Sequence, residues 1–396
     1  MRKTTRQILF FFFAGAFLVS APLVVLYTAG YRLSLNNYRV LETGAIATST
    51  SPRGATVLVD AKKESAKTPA VIQNILPHDT RVRFERAGYI PWEQTVPVSA
   101  GRTTYVSAVL FADTEPEKFM AFGTGSVFAH STNGRYLLIL NPDMDGTNVT
   151  LYDNLTRFAK TLSKLPHATT PYSAAYGESE NLFVVSAGGT PVIGFTVNGE
   201  RVDGNAIPRT GTNAPVTLVD NGENVEVRPA RSNTQTVLAL LPKGAYSTVA
   251  FDDEFVVLKD ERRVLTVVSL AGNNAISLDS PAVTLSWLPD FHLLAWSDGV
   301  EVNSYDATTG ERTFFTRQSD LITSLAWHPS GSAVLVGTST HITAIDKEAF
   351  NNRVSTLLLD SKSALLDMWL DKAGKNLYII RNRDGFPTLE RRRLVQ

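Results

Sequence analysis

Three oxygen-bearing side chains at alternate positions form the most metal-like pattern in the chain. They are Asn141, Asp143 and Asp145, and Gly146 follows them where a binding loop must bend. Amide and carboxylate oxygens at this spacing are the ligands of a calcium loop. Position twelve of such a loop is Tyr152 instead of the bidentate glutamate, and a hairpin turn at Asp145-Gly146 accounts for the same residues. The sequence therefore leaves two alternatives, a calcium site or a plain β-hairpin.

The sequence motifs of the common catalytic sites are missing. There is no Gly-x-Ser-x-Gly, no His-Glu-x-x-His, no phosphate-binding glycine loop and no dinucleotide fingerprint. There is also no cysteine, which excludes disulfides, thiolate metal sites and a cysteine nucleophile. We therefore expect a protein that is not an enzyme and that needs no cofactor, calcium apart. The six histidines stand singly, without the spacing of metal ligands, and we expect them to be structural or solvated: His78, His130, His167, His292, His328 and His341.

The composition is that of a folded chain with balanced charge. Of its 396 residues, 43% are hydrophobic and 19% are charged, which argues against long disorder and predicts two folded units. Lys and Arg together number 38, as do Asp and Glu. Because nothing in this balance attracts a polyanion over the whole surface, we expect no nucleic-acid partner.

A long apolar run near the N-terminus predicts a membrane anchor. Residues 8–27 are twenty uncharged residues, which as a helix rising 1.5 Å per residue would cross a hydrocarbon core of about 30 Å. Arg2, Lys3 and Arg6 precede the run, so the positive-inside rule places the N-terminus in the cytoplasm.

These features divide the N-terminal part of the chain. We expect a cytoplasmic tail at 1–7, a single transmembrane anchor at 8–28 and a juxtamembrane linker at 29–43. The protein would then be a single-pass protein of the cell membrane with an extracytoplasmic body, and the membrane would be its first partner.

A cleaved signal peptide is the alternative to an anchor. Val19-Ser20-Ala21 has small residues where a signal peptidase would need them. Pro22 follows directly and disfavours cleavage, and the apolar run continues through 23–26, beyond the length of a typical signal h-region. The sequence favours the anchor, and the body is exported in either case.

The segment 44–112 contains short strand-like runs. Residues 55–59, 80–86 and 103–110 alternate in polarity with a period of two, which is typical of half-buried antiparallel strands. Proline and glycine bound these runs. The pattern predicts a compact β-sandwich.

The same segment resembles the PEGA domain. The Pro-Glu-Gly-Ala run that names the family stands here as Pro52-Arg53-Gly54-Ala55, and Thr68-Pro69, Leu76-Pro77 and Gly88-Tyr89 follow at the family's spacing. Arg53 replaces the family's Glu, a departure that we expect to affect a turn and no chemistry. The resemblance implies a surface or envelope-exposed module without a catalytic role, whose partner is an unidentified envelope protein or polysaccharide.

From 117 to 396 the chain repeats a strand, a turn and a strand at a period near 40 residues. Trp287, Trp327 and Trp369 each end the first strand of such a unit, and weaker copies precede them. Seven units with four strands each predict a seven-bladed β-propeller. The Trp-x-Pro-Ser-Gly run at 327–331 is similar to TolB-type and tryptophan-aspartate-like propeller repeats, and this resemblance implies that the three tryptophans pack between blades.

The fold class expected for the chain is thus all-β, a small PEGA-like sandwich followed by a seven-bladed propeller, with one N-terminal transmembrane helix. The last unit supplies only about three strands before the chain ends. The apolar run at 118–122 precedes the first complete unit, so we expect it to pair with the terminal blade and close the ring.

Three functions compete at this point. An anchor with two interaction modules favours a noncatalytic binding or scaffold protein of the cell envelope. The alternative is a hydrolase or lyase that acts on envelope polymers, with residues from several blades meeting in the propeller channel. A sensor that signals through the helix is a third, poorer reading because the cytoplasmic tail is so short.

Overall fold

A computed structural model describes residues 3–28, 30–34, 39–177, 182–207, 214–230, 236–272, 274–350 and 352–395. The chain divides into two compact units. The first comprises Met1–Ala112 with Glu348–Val354, and the second comprises Asp113–Lys347 with Ser355–Gln396.

The first unit begins with the helix α1, Lys3–Thr28, which continues through Pro22. Its apolar stretch, Leu9–Thr28, is 20 residues long, and none of it is buried against protein. Side chains that are apolar on every face suit lipid better than water. The predicted apolar helix is confirmed. A hairpin of β1, Tyr31–Ser34, and β2, Arg39–Glu42, follows it.

Two sheets form the sandwich that follows. The first has the strand order β6-β3-β9, and the second has the order β5-β4-β7-β8. Their inward-facing side chains make one core, in which the rings of Phe84 and Trp92 stack with centroids 4.9 Å apart. The strands are β3 Gly44–Ser51, β4 Thr56–Val59, β5 Lys62–Lys67, β6 Ala70–Ile75, β7 Asp79–Glu85, β8 Trp92–Pro97 and β9 Thr103–Val109.

The expectation that all these strands are antiparallel was wrong for one pair. Strand β9 runs parallel to β3, with Ala45 opposite Thr103 and Ser51 opposite Val109. The chain reaches β9 from β8, which lies in the other sheet, so no hairpin links β9 to β3. Alternating polarity reports which face is buried and is the same for either direction. Strand direction therefore could not be read from the pattern.

Within the described residues, the second unit consists of seven antiparallel sheets arranged as a β-propeller, six with four strands and one, the third, with three where the repeat predicted four. The first strands of successive blades are neighbours, as β11 and β15 show. The strands of blades 1 to 3 are β11 Val127–His130, β12 Tyr136–Asp143, β13 Gly146–Asp153 and β14 Phe158–Leu165; β15 Tyr172–Gly177, β16 Leu182–Ala187, β17 Thr190–Thr196 and β18 Arg201–Asp203; and β19 Val216–Asp220, β20 Asn224–Pro229 and β21 Ala239–Pro242.

Blades 4 to 7 follow the same plan. Each begins where the repeat pattern placed a new unit, so the predicted phase of the repeat is confirmed. Their strands are β22 Tyr246–Phe251, β23 Phe255–Asp260, β24 Val264–Ser269 and β25 Ala275–Pro281; β26 Thr284–Leu288, β27 Leu293–Ser297, β28 Glu301–Asp306 and β29 Arg312–Arg317; β30 Ile322–Trp327, β31 Ala333–Thr338, β32 His341–Ala349 and β33 Arg353–Asp360; and β34 Leu365–Leu370, β35 Asn376–Arg383 and β36 Phe386–Arg393.

The early strand completes the last blade, as the sequence predicted. Strand β10, Glu117–Ala121, pairs antiparallel with β36, so that Glu117 lies opposite Arg391 and Ala121 opposite Thr388. The terminal sheet therefore has the order β10-β36-β35-β34. This pairing covers an edge that would otherwise present unpaired backbone groups to solvent.

Tryptophans and turn glycines fill the seams between blades. Trp327 and Trp369 are buried, which confirms that they are core residues. The indole Nε1 of Trp369 in blade 7 donates to the carbonyl oxygen of Gly134 in blade 1, at 3.3 Å. Gly134 has a φ of +68°, and a Cβ at this position would overlap with the carbonyl oxygen of Leu370. The seam that joins the last blade to the first therefore requires glycine.

Candidate functional site

The calcium candidate lies on a two-residue hairpin. Asn141 and Asp143 are on β12, and Asp145 is in the turn that leads to β13. Asp143 Oδ1 accepts from the backbone N–H of Asp145 at 2.8 Å, and its Oδ2 lies 3.2 Å from Lys164 Nζ. These contacts hold the pKa of Asp143 below its usual value. They are what the hairpin alternative requires, and the calcium site stays a prediction.

His130 and Asp367 bring two titratable side chains together across the seam between blades 1 and 7. His130 Nε2 lies 3.9 Å from Asp367 Oδ2, and the imidazole stacks on the Trp369 ring with centroids 4.7 Å apart. Desolvation raises the pKa of Asp367, and the nearby His130 opposes that effect. Both side chains are about one-third exposed, so solvent reaches the pair.

Each of the other five histidines has a protein partner, which agrees with structural roles. Burial lowers the pKa of His328 to about 4, whereas the hydrogen bond with Asp252 raises the pKa of His292. The polar contacts are His78 Nε2 to Asp60 Oδ2 at 2.9 Å, His167 Nε2 to the Met144 carbonyl oxygen at 2.7 Å, His292 Nδ1 to Asp252 Oδ2 at 2.8 Å, His328 Nδ1 to Ser330 Oγ at 2.7 Å and His341 Nδ1 to Thr338 Oγ1 at 2.9 Å.

An open groove of about 940 Å³ lies at one end of the sandwich. Three cationic residues line it, Arg53, Lys67 and Arg86, and we refer to it as the cationic groove. The other lining residues are Gly54, Thr56, Glu85, Ala87 and Pro91. A volume of this size accommodates a ligand of several chemical units.

Strand pairing brings the groove together from three distant parts of the chain. Thr56 at the start of β4 lies opposite Lys67 at the end of β5 and, on its other side, opposite Glu85 at the end of β7. Arg53 precedes β4 and Arg86 follows β7. The central strand β4 therefore gathers all three cations at one end of the sheet.

Hydrogen bonds fix the loop that carries Arg53. The backbone N–H of Gly54 donates to the Thr68 carbonyl oxygen at 2.7 Å, and that of Ala55 donates to Thr68 Oγ1 at 3.0 Å. Thr68 Oγ1 also contacts Thr50 Oγ1, and both threonines are buried. These bonds tie the loop to the strand pair beneath it, so the groove wall is formed before any ligand arrives.

The charges in the groove are unequally partnered. Glu85 Oε1 lies 2.8 Å from Arg83 Nε, so the one carboxylate in the lining already has a cationic partner. Arg86 Nη1 donates to the Arg53 carbonyl oxygen, and the guanidinium carbon lies 5.3 Å from the Tyr89 ring centroid. Within the described residues, the side chains of Arg53 and Lys67 form no salt bridge. The groove therefore presents unneutralised positive charge to solvent.

The cationic groove is not visible in the sequence alone. In the sequence, Arg53 stands out only as a departure from the PEGA pattern at a turn. The side chain also faces a groove, because β4 pairs with β5 and β7 on its two sides. Only a correct pairing of these strands would have revealed the cluster.

Comparison with known proteins identifies one domain and supports no wider assignment. Residues 43–112 match the family model described as PEGA domain. No curated protein matches the chain. Among many similar solved structures, a chain in "Crystal Structure of Mitotic Checkpoint Complex" is 14% identical, with a TM-score of 0.47 and coverage of 72% of this chain and 93% of the other. A likeness this distant carries no functional argument.

Proposed function

We propose that the chain is a membrane-anchored extracytoplasmic protein that acts as a noncatalytic binding or scaffold module of the cell envelope. The helix α1 supports a single-pass anchor, because its stretch Leu9–Thr28 is long enough to cross a bilayer and is apolar on every face. Arg2, Lys3 and Arg6 precede the apolar stretch Leu9–Thr28 and support a cytoplasmic N-terminus. The PEGA domain and the propeller then lie outside the cytoplasm.

The observation that carries the binding role is the cationic groove. Its wall is fixed by buried hydrogen bonds, and two of its cations form no salt bridge in the part of the chain that the structure describes. The loop backbone needs no further ordering, and cations without salt bridges give up little existing interaction when a ligand binds. That arrangement suits recognition without chemistry.

The absence of cysteine offers a direct test of the topology. Thr5→Cys reports on the N-terminal tail, and Ser107→Cys reports on an exposed position of the sandwich. With a membrane-impermeant maleimide, we expect Ser107→Cys to be labelled in intact cells and Thr5→Cys only after permeabilisation. Loss of the Thr5→Cys label from the mature chain would show cleavage and contradict the anchor. Labelling of Thr5→Cys in intact cells would contradict the orientation.

The binding role is tested by capture from intact cells, with the anchor retained and a crosslinking group on the sandwich. We expect one envelope protein or polymer to be captured reproducibly. Turnover of a glycan, peptide or phosphoester by the purified full chain, abolished by one substitution, would contradict the noncatalytic reading.

A propeller-based hydrolase or lyase is the second candidate, and the His130–Asp367 contact favours it. A histidine beside a carboxylate on strands of different blades is an arrangement that acid–base catalysis uses. The discriminating variant is His130→Gln, assayed on envelope polymers beside the unaltered chain. Turnover that disappears in His130→Gln would favour the enzyme, whereas no turnover by either protein would favour the binding module.

A further inference from the structure

We propose that the cationic groove binds a segment of an anionic envelope polymer through its carboxylate or phosphate groups. This inference rests on the proposed function and adds the chemical class of the ligand. Arg53 and Lys67 supply charge without competing salt bridges among the described residues, and Arg86 is held beside them by the Arg53 carbonyl oxygen. Arginine and lysine both bind oxyanions, arginine with a planar set of donors and lysine with a point charge.

The ion pair of Glu85 supports an anionic ligand over a neutral one. The only carboxylate of the lining already has a cationic partner, Arg83, that does not line the groove. An oxyanion that enters the groove therefore meets little repulsion from Glu85. A neutral sugar chain would accept hydrogen bonds from the three cations but would gain no ion pair, which is the stronger interaction.

The size of the groove favours a polymer segment over a single small ion. Its volume of about 940 Å³ is far larger than one phosphate or carboxylate needs. The cations come from the loop before β4, the end of β5 and the residue after β7, so they surround an extended space. A chain that carries several anionic groups can contact all three elements together.

The position of the groove disfavours the head groups of the membrane that holds α1. The chain leaves α1 close to the start of β3, because the Thr43 backbone N–H donates to the Gly30 carbonyl oxygen at 2.9 Å. The groove begins beyond Ser51, at the other end of β3. Seven residue steps at about 3.3 Å give roughly 23 Å between these ends. With β3 directed away from the bilayer, this separation exceeds the roughly 8 Å over which salt screens charge attraction at physiological ionic strength, and the vesicle experiment below tests that arrangement.

The test measures binding of fluorescent polyglutamate and polyphosphate to the full chain in detergent micelles, with dextran of equal length as the neutral probe. The variant is Arg53→Gln/Lys67→Gln. Its matched control is Lys62→Gln/Lys63→Gln, which removes the same net charge at the other end of β5. Arg86 is left intact because its guanidinium holds the loop.

We expect the unaltered chain to bind at least one polyanion and not dextran, with affinity that falls as salt rises. Arg53→Gln/Lys67→Gln should weaken binding by about tenfold or more, since each removes a charge-assisted contact. Lys62→Gln/Lys63→Gln should change it less than about twofold, because exposed charges far from the ligand are screened. Equal losses in both variants, or binding of neither polyanion, would overturn the proposal.

Binding to lipid vesicles tests the alternative that the groove binds membrane head groups instead of a polymer. Preference of the unaltered chain for phosphatidylglycerol vesicles over phosphatidylcholine vesicles, abolished by Arg53→Gln/Lys67→Gln, would overturn the polymer proposal in favour of lipid. Capture of an envelope partner that both double variants retain would also overturn it, while the proposed binding role would stand. Failure of capture by the unaltered chain would instead count against the proposed function itself.

Discussion

The charged side chains of the cationic groove and those of the last propeller blade differ in burial and in their partners. Arg53 and Lys67 are exposed and form no salt bridge within the described residues. Glu390 in blade 7 is fully buried, and its carboxylate lies 2.6 Å from Arg381 Nη2 and 2.8 Å from Arg383 Nε. Burial makes an unpaired charge costly, whereas a solvated charge stays unpaired at little cost. The comparison separates charges that hold the fold from charges that a ligand can use.

The largest expected loss of stability follows from removing the buried charge of Glu390. Glu390→Gln leaves Arg381 buried without its counter-ion, which should lower the free energy of unfolding by about 3–5 kcal/mol. Urea unfolding of the full chain in micelles, followed by tryptophan fluorescence, measures this loss. Glu301→Gln is the control, since its contact with Arg317 at 3.7 Å is exposed and should be worth less than about 1 kcal/mol. If Glu390→Gln and Glu301→Gln lowered the free energy of unfolding equally, the distinction between buried and solvated charges would be contradicted.

His328 gives the propeller a dependence on acid pH. Its pKa in the folded chain is about 4, below the unfolded value of 6.5, so the unfolded chain binds the proton first. The stability that neutral His328 allows is present above pH 6.5 and is lost as the pH falls toward 4, by about 3 kcal/mol in all. His328→Gln should flatten the slope of unfolding free energy between these pH values. An unchanged slope would contradict the burial argument.

His292 gives the propeller a pH dependence of stability that is opposite to that of His328. Its hydrogen bond with Asp252 raises its pKa in the folded chain. Stability from this pair is therefore fully present below about pH 6.5 and is lost as the pH rises through the raised folded value. His292→Gln should destabilise the chain in acid and converge with the unaltered chain at alkaline pH. A loss of stability in His292→Gln that grows as the pH rises would contradict this assignment.

The closing seam is tested by a pair of glycines. Gly134→Ala places a Cβ against the Leu370 carbonyl oxygen at a φ of +68°, and we expect a loss of about 1–3 kcal/mol beyond that of the control. The control is Gly310→Ala, with a φ of +75° and no atom within 4 Å of the added Cβ. This control isolates the cost of placing a Cβ on a residue with positive φ, which is about 1 kcal/mol. Equal losses would show that the seam tolerates the methyl group.

The propeller could be predicted well because its pattern repeats. Trp287, Trp327 and Trp369 recur where the first strand of a blade ends, and each copy reinforced the phase of the next. Pairing of β10 with β36 was also predictable, since an incomplete last blade needs one more strand. Repetition thus replaced the long-range information that a single sequence normally lacks.

The sandwich was less predictable because its important relations are not local. Polarity showed that β9 is half-buried but could not show that it runs parallel to β3. Arg53, Lys67 and Arg86 are far apart in sequence and meet only through the pairing of β4 with β5 and β7. No spacing rule marks such a cluster, and Arg53 looked like an ordinary turn residue.

The smallest expected effect concerns the calcium candidate. Asp143 already accepts from the Asp145 backbone and contacts Lys164, so the hairpin alternative predicts no rise in Tm when calcium is added. Thermal unfolding of the unaltered chain and of Asp143→Asn, each with calcium and with chelator, measures this. A calcium-dependent rise in Tm that Asp143→Asn abolishes would establish the metal site.

The central claim is that the cationic groove is the binding surface of the anchored chain. The most direct measurement places a photo-crosslinking residue at Pro91 in the groove, or at Ser107 on the other sheet, in intact cells. We predict adducts with an anionic polymer from Pro91 that are absent from Ser107 and are lost when Arg53→Gln/Lys67→Gln is added. Adducts of equal yield from both positions, or adducts at Pro91 that survive the double substitution, would contradict it.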